Sequence, residues 1–391
     1  MHRVTLVFIL FLLIPDLYIY LVYVVRKTRK AVLHCLYWLP TLLLAAGYVY
    51  FIFLTGDNAM SNHTQAIGRL AITIMLFVFP KIHIHALLAG GNTGTLHHPS
   101  LSPQPVHRYR TGFWLSSASS ISLRYPGRHH PFRYKEVEYR SANIPEGFDG
   151  YRIVQISDIH IGSWQGNPDP IKQLVDLVNG QKPDLIVFTG DLVNQQSHEL
   201  DGFQEILSQL YAPDGVYSIL GNHDYGSYYH WQSPKAEIAN LDYLIRQQKA
   251  MGWKLLNNEH DILHHKGDSI ALIGVENDGE PPFSQFADLP QAMQGTEGMF
   301  QILLSHNPTH WRREVLPQSG ISLMLAGHTH AMQGILFGHS LAELIYPEWR
   351  GMYYEGKRAL YVNIGIGYVG LPFRFGAWPE ITVLKLVREK E

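Results

Sequence analysis

An α/β domain preceded by a helical membrane region is the fold class that this 391-residue sequence predicts. Residues 4–25 and 31–54 are apolar and, at about 1.5 Å per residue, long enough to cross a hydrocarbon core of about 30 Å. Farther along, Ile153–Ile156, Leu185–Thr189, Val216–Leu220, Ile302–Leu304 and Ile321–Leu325 are short runs rich in Ile, Val and Leu, as buried strands are. Between the first two runs, Ile171, Leu174, Val175 and Val178 recur at helical spacing after the helix start Asn167-Pro168-Asp169.

Residues 1–90 read as a transmembrane anchor. The basic cluster Arg26–Lys30 follows the first apolar stretch instead of preceding it, and no small-residue cleavage site is present, so this stretch is an anchor and not a signal peptide. Pro15 and Asp16 interrupt it. A kink is expected there, with the costly charge turned toward other helices. The single cysteine, Cys35, lies in the second stretch as a core or lipid-facing thiol and excludes both a disulfide framework and a cysteine-rich zinc site. A third span is expected at 67–89, where the apolar middle Leu70–Phe79 is flanked by Arg69, Lys81, His83 and His85.

Residues 91–134 read as a linker rich in Gly, Ser, Pro, His and Arg, with no sustained periodicity. Its histidines 97, 98, 107, 129 and 130 lack paired spacing and read as a solvated run. A multi-pass membrane protein follows. With the basic loop cytoplasmic, three spans place residues 135–391 inside and two or four place them outside.

The domain over 135–391 opens with Val137 and Tyr139 alternating as in an edge strand, then a turn at Pro145-Glu146-Gly147. Strand, helix, strand, helix and strand lead to Leu220, a helix covers Pro234–Ala250, and strands dominate the remainder. A net charge of −2 and 46% hydrophobic residues give no reason to expect a nucleic-acid partner.

Each strand run ends in a polar block: Asp158-Ile159-His160, Gly190-Asp191, Gly221-Asn222-His223-Asp224, Ser305-His306-Asn307 and Gly327-His328-Thr329-His330. Polar residues at the carboxyl ends of parallel strands converge on one crevice, and glycine before them suits tight strand-to-loop turns. Oxygen and imidazole donors with one carboxylate able to bridge are what a pair of divalent cations requires. Asp158 and His160, alternating along a strand end, can chelate one cation, with Asp191 as the bridge. Asn222, His306, His328 and His330 complete the donors.

The order Asp-x-His, Gly-Asp, Gly-Asn-His-Asp, His, Gly-His-x-His resembles the calcineurin-like metallophosphoesterase superfamily. Ser157–His160, Ala326–His330 and the segments Gly370–Gly376 and Pro379–Thr382 are similar to a bacterial, membrane-attached phosphodiesterase branch. The resemblance implies a four-layer αββα sandwich and two divalent ions (Mn, Fe or Zn). One would be held by Asp158, His160, Asp191 and His330, the other by Asp191, Asn222, His306 and His328. It further implies in-line attack on phosphorus by a hydroxide bridging the metals, with His223 beside the leaving group and Asp224 fixing its tautomer.

Two departures stand out. Ala331-Met332-Gln333 replaces the usual Gly-Gly-Gln, and Ile364 stands where an arginine is common; if that arginine contacts substrate phosphate in relatives, the contact is either lost here or replaced by Arg374. Four aromatic rings in Tyr225–Trp231 read either as an apolar wall at the site or as loop packing. A phosphorylated small molecule, a lipid or an envelope precursor is the expected substrate, and the bacterial inner membrane the expected location. A catalytically silent metal-binding scaffold is the alternative.

Overall fold

The computed structural model describes residues 12–50, 70, 73, 77, 81, 132–370 and 372–389. Residues 91–131 of the expected linker, with its histidines, and most of the expected third span lie outside the described residues; the linker's last two residues, Arg133 and Tyr134, instead open the first strand of the domain. The chain forms two compact units.

In the N-terminal unit, residues 12–27 are helical, with a π-turn at Tyr20–Val24. Among the described residues one helix, α1 (Ala31–Val49), is long and apolar enough to span a membrane. The charge at Asp16 is fully buried, as expected for a carboxylate in an apolar span. Its side chain pairs with Lys81 and accepts hydrogen bonds from Thr41 and from the Tyr37 hydroxyl, which also bonds its carbonyl at 2.8 Å.

The second unit holds two six-stranded sheets. The first contains β1 (Arg133–Ser141), β2 (Arg152–Ile156), β3 (Leu185–Phe188), β4 (Val216–Ser218), β5 (Lys254–Leu255) and β12 (Glu380–Arg388), in the order β1-β12-β2-β3-β4-β5. The second contains β6 (Glu259–His265), β7 (Asp268–Gly274), β8 (Gln301–Leu304), β9 (Leu323–Ala326), β10 (Gly351–Glu355) and β11 (Arg358–Val362), in the order β10-β11-β9-β8-β7-β6. Strands β2, β3, β4 and β5 run parallel, as do β7, β8, β9 and β11. β12 lies between β1 and β2, parallel to the first and antiparallel to the second.

Because successive side chains point to opposite faces, each strand feeds two layers. Ile153, Leu185, Val187 and Tyr217 meet Leu272, Ile302, Leu304 and Leu325 between the sheets. On the outer face of the first sheet, Val154, Ile156, Ile186 and Phe188 pack with Ile171, Leu174 and Val178 of α2 (Asp169–Gly180) and with Leu244 of α3 (Pro234–Ala250). Beyond the second sheet, Leu303, Met324, Leu360 and Val362 pack with Leu289, Trp311 and Val315. The result is a four-layer αββα sandwich. All five polar blocks leave the carboxyl ends of parallel strands, so the topology delivers them to one end of the sandwich.

Candidate metal centre

The Asp158–His160 block differs from the expected strand alternation. β2 ends at Ile156, and Asp158 and His160 both adopt left-handed backbone (φ 53° and 46°), as do Asp191, His328 and His330. Non-glycine residues pay for that conformation; concentrated here, it turns each donor sharply off its strand. Gly190 has no tolerance for a side chain: its φ is 93°, and a Cβ would lie 2.8 Å from His306 Nδ1.

These turns bring Asp158, His160, Asp191, His306, His328 and His330 together. His330 Nε2 is 3.0 Å from His160 Nε2 and 3.2 Å from Asp158 Oδ1. His328 Nδ1 is 3.3 Å from His306 Nε2. One oxygen, Asp191 Oδ2, faces both groups, 3.5 Å from His160 Nε2 and 3.2 Å from His306 Nε2. Backbone carbonyls set two of the rings: His160 Nδ1 is 3.2 Å from Val193 O and His306 Nδ1 2.7 Å from Thr189 O, leaving each Nε2 free to ligate. Asn222 donates its amide to the Tyr228 hydroxyl at 2.9 Å, while its buried Oδ1 has no hydrogen-bond partner. A buried carbonyl oxygen without a donor beside carboxylates and imidazoles is what a cation would satisfy. The donor set fits divalent metal.

Electrostatics agree. Burial favours protonation of Asp158, but His330 and His306 outweigh it and hold the carboxyl well below the usual range. Asp191 is likewise held low, burial being outweighed first by His306 and His223. Burial, then His306, pulls His328 down to about 3, so that ring is neutral. For His306 burial opposes the proton, but Asp191 prevails and raises the ring to about 9.

That shift predicts a pH dependence. In the metal-free protein a pKa raised from 6.5 contributes stability that is complete below 6.5 and lost as pH rises through about 9. Metal uptake near neutral pH should release about one proton from His306, fading above that range. Calorimetric titration in buffers of different ionisation enthalpy measures it; uptake without proton release at pH 7 would contradict the assignment.

His223 and Asp224 do not form the expected pair. Asp224 accepts backbone N–H groups from Asp191, Leu192, Val193 and Gly221 at 2.8–3.2 Å, and no bond joins it to the His223 ring. His223 Nδ1 instead lies 2.6 Å from the Asn194 carbonyl. The correction has a simple cause. The Asp224 side chain reaches across to the loop after β3, where the N–H groups of Asp191, Leu192 and Val193 converge with that of Gly221, and the Asn194 carbonyl takes the orienting place. The His223 ring is half-buried, 4.8 Å from the His160 ring and 4.6 Å from Tyr228.

Residues 151–332 match the family described as calcineurin-like phosphoesterase, and residues 2–120 match that described as probable calcineurin-like phosphoesterase, transmembrane domain. The metallophosphoesterase YkuE of Bacillus subtilis strain 168 is 33% identical over 273 residues, covering 66% of this chain and 86% of that protein. The chain belongs to the calcineurin-like metallophosphoesterases. A transmembrane protein with metallophosphoesterase domain from Danio rerio is 33% identical over 267 residues, covering 66% of this chain but 57% of that protein, so the chain spans little more than half of that relative's length. An uncharacterised metallophosphoesterase of Helicobacter pylori J99 is 27% identical over 356 residues, covering 90% of this chain and 89% of that protein. This metallophosphoesterase thus carries the family's phosphoesterase domain behind a segment that matches its transmembrane domain.

Several features of the metallophosphoesterase site have no counterpart in the motifs. The Tyr346 hydroxyl lies 3.0 Å from His328 Nε2, and the Phe283 ring stands edge-on at 4.6 Å from that imidazole. Arg374 is engaged by the protein itself. Its guanidinium donates to the carbonyls of Ile364, Gly365 and Ala377 and to His330 Nδ1 at 2.7 Å. Ile364, where an arginine was the usual residue, packs with Ile335 and Trp349. Ala331 and Met332, in place of glycines, both hold positive φ (49° and 42°). Of the four rings in Tyr225–Trp231, Tyr228 borders the site; Tyr225 is buried against Phe286, and Tyr229 packs on Trp231.

Proposed function

We propose that the protein is a multi-pass, membrane-anchored phosphohydrolase that uses two divalent ions to cleave a phosphoester or pyrophosphate bond. The observation that carries this reading is Asp191 Oδ2 facing two separate groups of imidazoles, with the partnerless Asn222 Oδ1 in the same loop cluster. Asp158, His160, Asp191 and His330 would hold one ion, and Asp191, Asn222, His306 and His328 the other. Mn, Fe or Zn suits these donors. Bound there, the pair would neutralise phosphate charge and provide a nucleophile at neutral pH.

His223 is not a ligand in this scheme. With Nδ1 donating to the Asn194 carbonyl, Nε2 is left for the substrate, as a proton donor to the leaving oxygen when the ring is charged. Tyr228, beside His223, would flank the group attached to phosphorus. Membrane attachment favours a phosphorylated lipid or envelope precursor over a freely soluble phosphate ester. The helical residues 70, 73, 77 and 81, with Lys81 paired to Asp16, support a third membrane segment.

The test is the full chain in detergent, stripped of metal, reloaded with Mn²⁺ and assayed on an aryl phosphodiester. His223→Ala should retain its metal and lose about 10²- to 10⁴-fold in kcat. Bound metal without turnover in the unaltered protein would instead support the silent scaffold.

A further inference from the structure

Residues 331–345 form a strap with both feet on the metal centre. It leaves from His330 and returns at Tyr346, whose hydroxyl touches His328. Its tip is a tight turn closed by Leu336 N–H to His339 O at 2.9 Å and His339 N–H to Leu336 O at 3.0 Å, with Phe337 and Gly338 between them. Both tip residues have positive φ (52° and 89°). Asn, Asp or Gly occupies such positions at little cost. Here a phenylalanine does, and it is 94% exposed.

The tip is not an isolated apolar residue. Leu336, Leu341 and Leu344 are 57%, 67% and 82% exposed. The strap lies beside residues 373–376, where Ile335 N–H bonds to Phe375 O at 2.7 Å and the half-exposed Phe373 and Phe375 rings are parallel. The strap's one carboxylate, Glu343, is engaged by the Ser340 N–H and by His339. Cations and tryptophans flank the surface: Arg350 donates to Gly338 O at 3.1 Å and covers the Trp349 ring, and Arg133 covers Trp378. Exposed large apolar residues gathered on one strap and the segment bonded to it mark a binding face, and Arg and Trp beside them are the composition of a lipid interface. The match of residues 2–120 to a transmembrane domain makes a lipid bilayer the partner that the chain's own attachment supplies.

We propose that this strap, with Phe373 and Phe375 beside it, inserts into the headgroup region of the bilayer and holds the metal centre at the lipid boundary. Phe337 and the leucines would enter the acyl margin, while Arg350 and Arg133 meet lipid phosphates. The inference rests on membrane anchoring and not on the hydrolytic reading.

The test uses the full chain with Cys35→Ser, so that Phe337→Cys, Leu344→Cys or Tyr211→Cys carries the single label. Tyr211, 70% exposed, is the control outside both segments. Each protein is tagged with an environment-sensitive fluorophore and reconstituted in phosphatidylcholine–phosphatidylglycerol vesicles with and without doxyl-labelled lipid. Equal thermal midpoints verify folding. Labels at 337 and 344 should be quenched about two-fold or more beyond that at 211, as for side chains buried at the headgroup boundary. Quenching no greater than at 211 overturns the proposal. So does a blue-shifted label that doxyl lipid fails to quench, since the tip would then be covered by protein, either a second copy or another segment of the chain. Neither readout depends on turnover.

Discussion

Asp191→Ala should release bound metal and lower phosphodiester turnover by about 10³-fold or more, because the ions it would help hold provide several kcal/mol of transition-state stabilisation. The size follows from three contacts made by one side chain. Oδ2 faces His160 and His306, so both groups of donors lose their shared oxygen. Oδ1 accepts the His223 backbone N–H at 2.9 Å, so the loop bearing that histidine loses an anchor. The same carboxylate raises His306, and its removal lets burial pull that ring down. Asp191→Asn separates these effects: it keeps an acceptor for His223 N–H while removing the charge. Metal content by elemental analysis and kcat on an aryl phosphodiester provide the measurements. Full metal occupancy and near-normal turnover in Asp191→Ala would remove Asp191 from the centre.

Asp224→Ala should be the most damaging change to stability. Its buried carboxylate accepts N–H groups from Asp191, Leu192, Val193 and Gly221. Deleting it strands these donors away from water at about 1–3 kcal/mol each, a sum comparable with the usual total stability of about 5–15 kcal/mol. Burial, then the Asp191 charge, pushes its carboxyl up to about 7 against those donors, so ionisation here is held under tension. Expected outcomes are a large fall in the denaturation midpoint and loss of the metal site, with Asp224→Asn intermediate because its amide oxygen still accepts. Unchanged stability in Asp224→Ala would show that water replaces the carboxylate without cost.

The strand-end blocks were legible because five of them follow Ile/Val/Leu runs in one fixed order, whereas a single Asp or His after a strand is ordinarily a capping or loop residue. Asp158, His160, Asp191, His306, His328 and His330 meet where the topology sends them. The role of Asp224 was not legible, since its partners are backbone N–H groups, which leave no pattern in sequence. The same holds for the Asn194 carbonyl against His223. Strand ends were slightly overrun: Thr189 and Leu220 lie past β3 and β4, where the backbone already turns toward the site. Neither the Arg374 contact with His330 nor the strap around Phe337 could be anticipated, because irregular segments carry no periodicity to read. The insertion of β12 between β1 and β2 was equally hidden, alternation being silent about neighbours.

That insertion sets the timetable of assembly. β2 takes β12 as its neighbour on the side away from β3, and β1 has no place in the sheet except against β12. During synthesis almost the whole domain must emerge before Glu380–Arg388 arrives, and until then β2 presents an unpaired edge able to recruit a wrong partner. Contacts between strands so distant in sequence close slowly. The N-terminal segment, made first, would wait for a domain that closes with its last strand, so a nascent chain stalled before β12 would carry that segment without a finished sheet behind it.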